Sequence, residues 1–527
     1  MTAAEERANE RAFWTQGSRQ HSSSSERVLP SPASPMSVAH ELVADCYRVG
    51  SDMILRHWRG DFYHYQDGVW VEVEERSIRK QVYDYLESAL YEKGGSLVPW
   101  NPTTGKVNNV LDSLRAKVYL GRDIEAPNWL EESSATIPAE GAVVVSNGVL
   151  HVPSRRLVAH TPAFWAHNRL PFPYIEQAPT PSRWLAFLAE LWGRRTYPAS
   201  GFDELDTLQE VLGYFIGGDT RQQKIILLVG PKRSGKGTIA RVLTGLLGKH
   251  NVAAPTLASL GTNFGLQAMV TRPLAIISDA RLSSRADPSI VVERLLSVSG
   301  EDSMTVDRKY RDPWTGRLPT RFLILTNELP KLADSSGALA GRLVLLTLTR
   351  SFFGQENPRL TDELLEEAPA ILNWALEGLD RLNRRGYFVM PASSEDIVRQ
   401  MEDLASPVGA FIRSRCEVGP DFLIPVDELW KSWRDWCQDQ NLHPGTKALL
   451  GRDLKAAVPT IHHARPRTED DKRLQVYNGI RLARETTSGH GDRPDQASTE
   501  DVGIGQDGQA DQPVFSAEEN GVQEEVF

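Results

Sequence analysis

The chain has 527 residues, three cysteines and a formal net charge of -10, so it exceeds what one hydrophobic core organises and two to four domains are expected. No apolar run approaches the roughly 20 residues that span a bilayer, and the start, MTAAEERANERAF, lacks the basic-then-apolar order of a secretory signal. Cys46, Cys416 and Cys437 are too widely spaced for a disulfide framework or a zinc cluster, so the expectation is a cytoplasmic protein with plain thiols. The acidity is local. Residues 485–527 carry eleven Asp/Glu against one Arg, which leaves the other 484 residues balanced at 58 acidic and 58 basic. Basic surface must therefore be sought in stripes rather than in the whole-chain charge.

In chain order, residues 1–36 are Ser/Pro-rich and predicted to be disordered, as is the acidic tail 485–527. Residues 37–195 mix a helical pattern, SIRKQVYDYLESALYEK, with two hairpin signals. In one, a QDG turn joins aromatic-rich runs within DFYHYQDGVWVEV; in the other, an NG turn interrupts AVVVSNGVLHV. This reads as an N-terminal α+β domain. Across 196–355, the short apolar runs KIILLVG, PLAIISDA, RFLILTN and RLVLLTL alternate with helical patterns, as a parallel sheet covered on both faces requires. A helical connector, 356–394, leads to a last unit, 395–484, whose three helical patterns followed by two strands around a charged loop read as a winged helix. Trp430, Trp433 and Trp436 share one helical side there and are predicted core.

The chemistry concentrates in the α/β segment. Strand KIILLV runs into Gly230, Pro231, Lys232, Arg233, Ser234, Gly235, Lys236, Gly237 and Thr238, followed by a helical pattern. The amides of such a loop cradle phosphates, the helix start favours negative charge, and Lys236 reaches the outer phosphates. Gly237 stands where the strict motif has its magnesium-binding Ser or Thr, so Thr238 is the substitute. The GKGT ending also suits nucleotide kinases, so the loop implies ATP without naming a reaction. Asp279 ends the next apolar strand and suits magnesium; Ala280 follows it where a second, water-activating acid is usual. Asn327 ends a further strand and can orient water beside the γ-phosphate; the bland alternative is a turn Asn before ELP. Arg342, just before RLVLLTL, suits an arginine finger or an ordinary surface charge.

Taken together, GPKRSGKGT (230–238), Asp279, LLSVSGEDSMTVDRKY (295–310), LTNELP (325–330) and GRLVLL (341–346) resemble superfamily 3 helicases, specifically the helicase part of the satellite-phage and poxvirus type primase-helicase family. The likeness extends upstream to SNGVLHV and LPFPY and downstream to ILNWALEGL. It implies an AAA+-like phosphate-binding-loop ATPase core, an ATP- and Mg2+-dependent motor moving 3′ to 5′ on DNA, and a ring, usually a hexamer, with nucleotide between subunits. It further implies replication of a phage, prophage or plasmid in a bacterial host cell, on single-stranded and forked DNA. In that pattern a hairpin before the Asn strand carries basic residues at its tip; here Arg308, Lys309 and Arg311 are expected DNA contacts, with Tyr310 and Trp314 nearby, an exposed polar turn being the alternative. In the last unit Lys447, Arg452 and Lys455, with Arg465, Arg467, Lys472 and Arg473 in the loop, are expected to straddle a duplex backbone, unless that unit only contacts protein. Two other activities stay open: an ATP-gated DNA-binding or loader protein with weak hydrolysis, and a nucleotide kinase. Primer synthesis is not expected, because the 36-residue start leaves no room for a polymerising module. The acidic tail is a candidate for docking a replication protein.

Overall fold

The computed structural model describes residues 27–193, 203–278, 287–328, 338–394, 397, 406–466 and 474–483. Asp279, Arg467, Lys472, Arg473 and the acidic tail lie outside the described residues. The start of the chain packs earlier than its Ser/Pro composition suggested. Val28 bridges Leu90, Leu29 is buried, and Trp100 Nε1 donates to Pro30 O at 3.0 Å. The cause is nonlocal: the buried Trp100 indole needs an acceptor, and the Pro30 carbonyl supplies it.

Helix α1 (Pro35–Cys46) leads into strands β1 (Leu55–Trp58), β2 (Asp61–Gln66) and β3 (Val69–Val73), followed by α2 (Glu75–Glu87) and α3 (Thr104–Lys117). The three strands form an antiparallel sheet. The predicted QDG hairpin is present. Asp67 and Gly68 both hold positive φ, +50° and +87°, as a two-residue turn matched to strand twist requires. The apolar stripes of α1, α2 and α3 close one core with Leu55 and Phe62. On the other face Trp58, Tyr63, Trp70 and Trp165 pack at ring separations of 5.2–5.7 Å. The second hairpin, β4 (Ala142–Val145) with β5 (Gly148–His151), is present but turns one residue earlier than the predicted NG, at Ser146–Asn147, because Gly148 already pairs with Val145; it adds β6 (Arg156–Val158).

Helix α4 (Ser182–Trp192) crosses to the α/β core, where Glu367 accepts from the amides of Arg183 and Trp184 and so caps its first turn. Then follow α5 (Glu204–Ile216), β7 (Ile225–Val229), α6 (Lys236–Leu247), β8 (Val252–Ala253), β9 (Leu274–Ile277), α7 (Pro288–Ser299), β10 (Met304–Val306), β11 (Trp314–Gly316), β12 (Arg321–Thr326) and β13 (Leu343–Thr347). Strands β8, β9, β12, β7 and β13 lie in that order in one parallel sheet. Their side chains are buried almost throughout, as the continuous apolar runs foretold. Helix α8 (Ala368–Arg385) packs on α5, with Gly213 so close that an added Cβ would stand 2.3 Å from Ala375 O. Across this joint Glu210, with no exposed surface, accepts from Arg381 Nε at 2.8 Å and also pairs with Arg385.

The last unit comprises α9 (Pro407–Arg415), β14 (Cys416–Pro425), α10 (Val426–Asp439), α11 (Lys447–Ala457), β15 (His462–Ala464) and β16 (Val476–Leu482). Its three strands are antiparallel in the order β14, β16, β15. Trp433 and Trp436 are buried and stacked on each other at 5.5 Å, Phe411 meets Trp433 edge-on at 5.3 Å, and Trp430 packs beside them, so the tryptophan side of α10 is core. Among the described residues no helix is long and apolar enough to cross a membrane.

Candidate active site at the end of the parallel sheet

The loop 230–235 leaves the C-terminal end of β7, a central strand, and turns directly into α6. Three local features fix its path. Gly235 sits at φ +93°, a left-handed conformation that favours glycine, and a Cβ there would also press on the Leu191 methyl of α4 at 2.7 Å. Gly230 lies against Leu348, where an added Cβ would stand 2.4 Å from the carbonyl oxygen. Arg233 adopts a left-handed φ of +60° and pairs with Glu356 at 3.2 Å. The carbonyls of this loop are taken up by the protein. Those of Gly230 and Pro231 accept from Lys236 Nζ, that of Lys232 from Ser351 Oγ and that of Arg233 from the Phe352 amide.

Lys236 is buried in the first turn of α6, with Nζ at 2.6 Å from Gly230 O, 2.8 Å from Pro231 O and 3.2 Å from Ser234 Oγ. The same ammonium lies 3.2 Å from Asn327 Oδ1, at the exposed end of the neighbouring strand β12. Burial lowers the Lys236 pKa from its usual value. The loop lysine and the strand-end asparagine, 91 positions apart, thus share one locus. Thr238 is adjacent, but its Oγ1 accepts from Arg241 NH2 at 3.0 Å.

Arg241 escaped sequence reasoning. It lies four residues after Gly237 on the same helix face, and a Cβ at 237 would meet its NH1 at 3.2 Å. The missing side chain at 237 is therefore room for a guanidinium. The available signal was the pairing of a glycine with an arginine one helical turn on.

The remaining expected site residues lie elsewhere. Arg342 precedes β13, at the opposite end of the sheet from the loop, and its NH1 donates to Leu296 O at 2.5 Å and Ser299 Oγ at 2.9 Å. Hairpin β10–β11 is present, but two of its tip residues are not available as expected. Arg308 is buried and ion-paired with Asp61, while Arg311 pairs with Glu72 and lies 3.7 Å from Asp61. These acids belong to β2 and β3, so the correction could not come from the hairpin's own sequence. Trp314 is buried, with Arg59 stacked over it at 5.2 Å, and is core rather than a base-stacking platform. Lys309 and Tyr310 remain at the tip, where Tyr310 is 94% exposed. In the last unit Lys447 pairs with Asp427 and Arg452 with Asp453, while Lys455 and Arg465 are exposed.

Residues 41–193 match a family described as D5 N terminal like, and residues 228–342 match DUF5906, a family of unknown function. Among solved structures, the chain is similar to an A-form apo structure of the NrS-1 C terminal region. The two are 12% identical, with 81% of this chain and 97% of that chain covered and a TM-score of 0.45. A second, of NrS-1 residues 305–718, is 13% identical over 84% of this chain and 99% of that one, also at a TM-score of 0.45. With a D5 N terminal-like domain followed by a DUF5906 domain, the chain matches the phage primase-helicase family.

Proposed function

We propose that this chain is an ATP-driven DNA helicase of phage, prophage or plasmid replication, with the phosphate site at residues 230–238. One observation carries the reading: the Lys236 ammonium and the Asn327 amide oxygen lie 3.2 Å apart where the parallel strands end. Lys236, bonded to loop carbonyls, would swing onto the outer phosphates of ATP. Asn327 would hold the attacking water. The engaged carbonyls of Pro231, Lys232 and Arg233 leave the opposite edges of those peptides, the amides of Lys232, Arg233 and Ser234, for phosphate oxygens.

Thr238 Oγ1 and Asp279 would hold magnesium, which would supply neutralisation of the charge that develops on the phosphates. The Thr238 hydroxyl fits that use once Arg241 releases it. Arg342 stands a five-residue strand away, about 16 Å, from its own phosphate loop. That separation favours action on a neighbouring subunit's nucleotide, as a homo-hexameric ring would need. The helix and strand order of the last unit supports a winged helix, with Lys455 exposed for a phosphate contact.

Lys236→Ala should abolish Mg2+-dependent ATP hydrolysis, and hydrolysis at the wild-type rate would refute the site. The Arg241 contact to Thr238 also favours a second reading, an ATP-gated loader with weak turnover. Strand displacement on a forked substrate separates the two.

A further inference from the structure

The N-terminal sheet and the edge of the parallel sheet face each other across a cleft of about 1450 Å3. One wall is the β2–β3 hairpin, from Gln66 to Val73. The other runs from His250 through Phe264 and Arg272 to the hairpin tip at Lys309. This is not the phosphate site. Gly248 and His250 follow the far end of α6, whose 12 residues place them about 18 Å from the loop.

Three features suit a polyanionic strand. The lining carries five cations, Arg169, Arg272, Arg308, Lys309 and Arg311, against three carboxylates, Asp67, Glu72 and Glu74, in a chain whose net charge is -10. Two of the cations, Arg308 and Arg311, are consumed by Asp61 and Glu72, and they pin the hairpin tip to β2 and β3. The other three have no carboxylate partner among the described residues. Arg169 NH1 donates to Asp67 O at 2.9 Å and Arg272 NH1 to Val252 O at 3.2 Å. Each guanidinium is thus held in place by a carbonyl and keeps further donors for a phosphate. Lys309 Nζ lies over the Tyr310 ring at 5.4 Å. Phe264, 49% exposed, adds a flat apolar face. The volume exceeds the roughly 300–1,000 Å3 of small-molecule pockets and admits a chain segment.

We propose that this cleft binds single-stranded DNA, with Arg169, Arg272 and Lys309 on the phosphodiester backbone and Phe264 stacked on a base. The proposal rests on the DNA-motor reading and adds to it a site that the D5 N terminal-like region helps to build. Arg308 and Arg311 then position the tip and do not themselves hold the strand.

Binding of fluorescent oligo-dT across a salt series tests it. Replacing both arginines, Arg169→Ala with Arg272→Ala, should weaken binding on the order of tenfold. The same change should reduce the slope of log affinity against log salt by about 1.4, since each cation on a single strand contributes about 0.7. A second pair of variants guards against misfolding of the first. Ala268 is exposed, lines the cleft and makes no side-chain polar bond, so Ala268→Lys should tighten binding and Ala268→Glu should weaken it, each by a few-fold. Wild-type affinity and slope in all of these variants, while the wild type binds oligo-dT and is stimulated by it, would overturn the cleft alone. A wild type that binds no oligo-dT at low salt would overturn the motor reading with it.

Discussion

Replacing Asp61 by Asn should loosen the β10–β11 hairpin tip from the N-terminal sheet. Asp61 faces two arginines: it is ion-paired with Arg308, whose side chain is 5% exposed, and lies 3.7 Å from Arg311. Breaking a buried pair by removing one partner costs about 3–5 kcal/mol, because the surviving charge is left desolvated. The lower end applies here. Asp61 keeps 16% of its side-chain surface, Arg308 Nε retains the Asp312 carbonyl at 2.8 Å, and Glu72 still faces Arg311. A loss of about 3 kcal/mol is expected in the opening of this joint. A chain of several domains does not unfold in two states, so the assay is native-state amide exchange at β2, β10 and β11. A double-mutant cycle of Asp61→Asn with Arg308→Met should give a coupling of about 2 kcal/mol. A coupling below about 0.5 kcal/mol, the worth of an ordinary surface pair, would refute the clamp.

Two further outcomes follow from buried polar groups. Glu210→Ala should lower the thermal midpoint by removing the fully buried acceptor of Arg381 and Arg385; both arginines are partly exposed and Arg381 keeps Asp206 and Gln209, so the cost at the α5–α8 joint is about 1–3 kcal/mol. An unchanged melting curve would show that those arginines find other partners. Burial holds both His64 and His167 down at about pH 4 for protonation, against about 6.5 for the unfolded chain. Below pH 6.5 the unfolded chain therefore binds protons that the folded chain does not. Stability should be level above pH 7 and fall as pH drops from about 6.5 to 4, by up to about 1.4 kcal/mol per unit for each histidine. Urea midpoints that do not move between pH 7 and 5 would contradict this.

What the sequence made legible was what is written locally. The run KIILLVG, the glycines at 230 and 235 and the helix after them specify a strand, a tight loop and a helix start. Asp67–Gly68 specify their hairpin because two adjacent residues decide the turn, whereas the second hairpin turns at Ser146–Asn147, one residue before the NG pair the pattern pointed to. What stayed hidden depends on partners far away in the chain. The basic tip at 308–311 looks like a surface stripe until Asp61 and Glu72, more than 200 positions earlier, fold against it. The use of Gly235 against Leu191, and the order of the five parallel strands, likewise depend on contacts that no local pattern encodes. Arg241 lies between these cases. Helical spacing alone places it beside Gly237 and Thr238, but only the packed helix shows its guanidinium on the Thr238 hydroxyl.

The most direct test of the central claim is Mg2+-dependent ATP hydrolysis by the purified full chain, with and without single-stranded DNA. The account predicts hydrolysis that depends on Lys236 and rises several-fold with the strand. Hydrolysis that is indifferent to DNA, or equal in the Lys236→Ala protein, would contradict it.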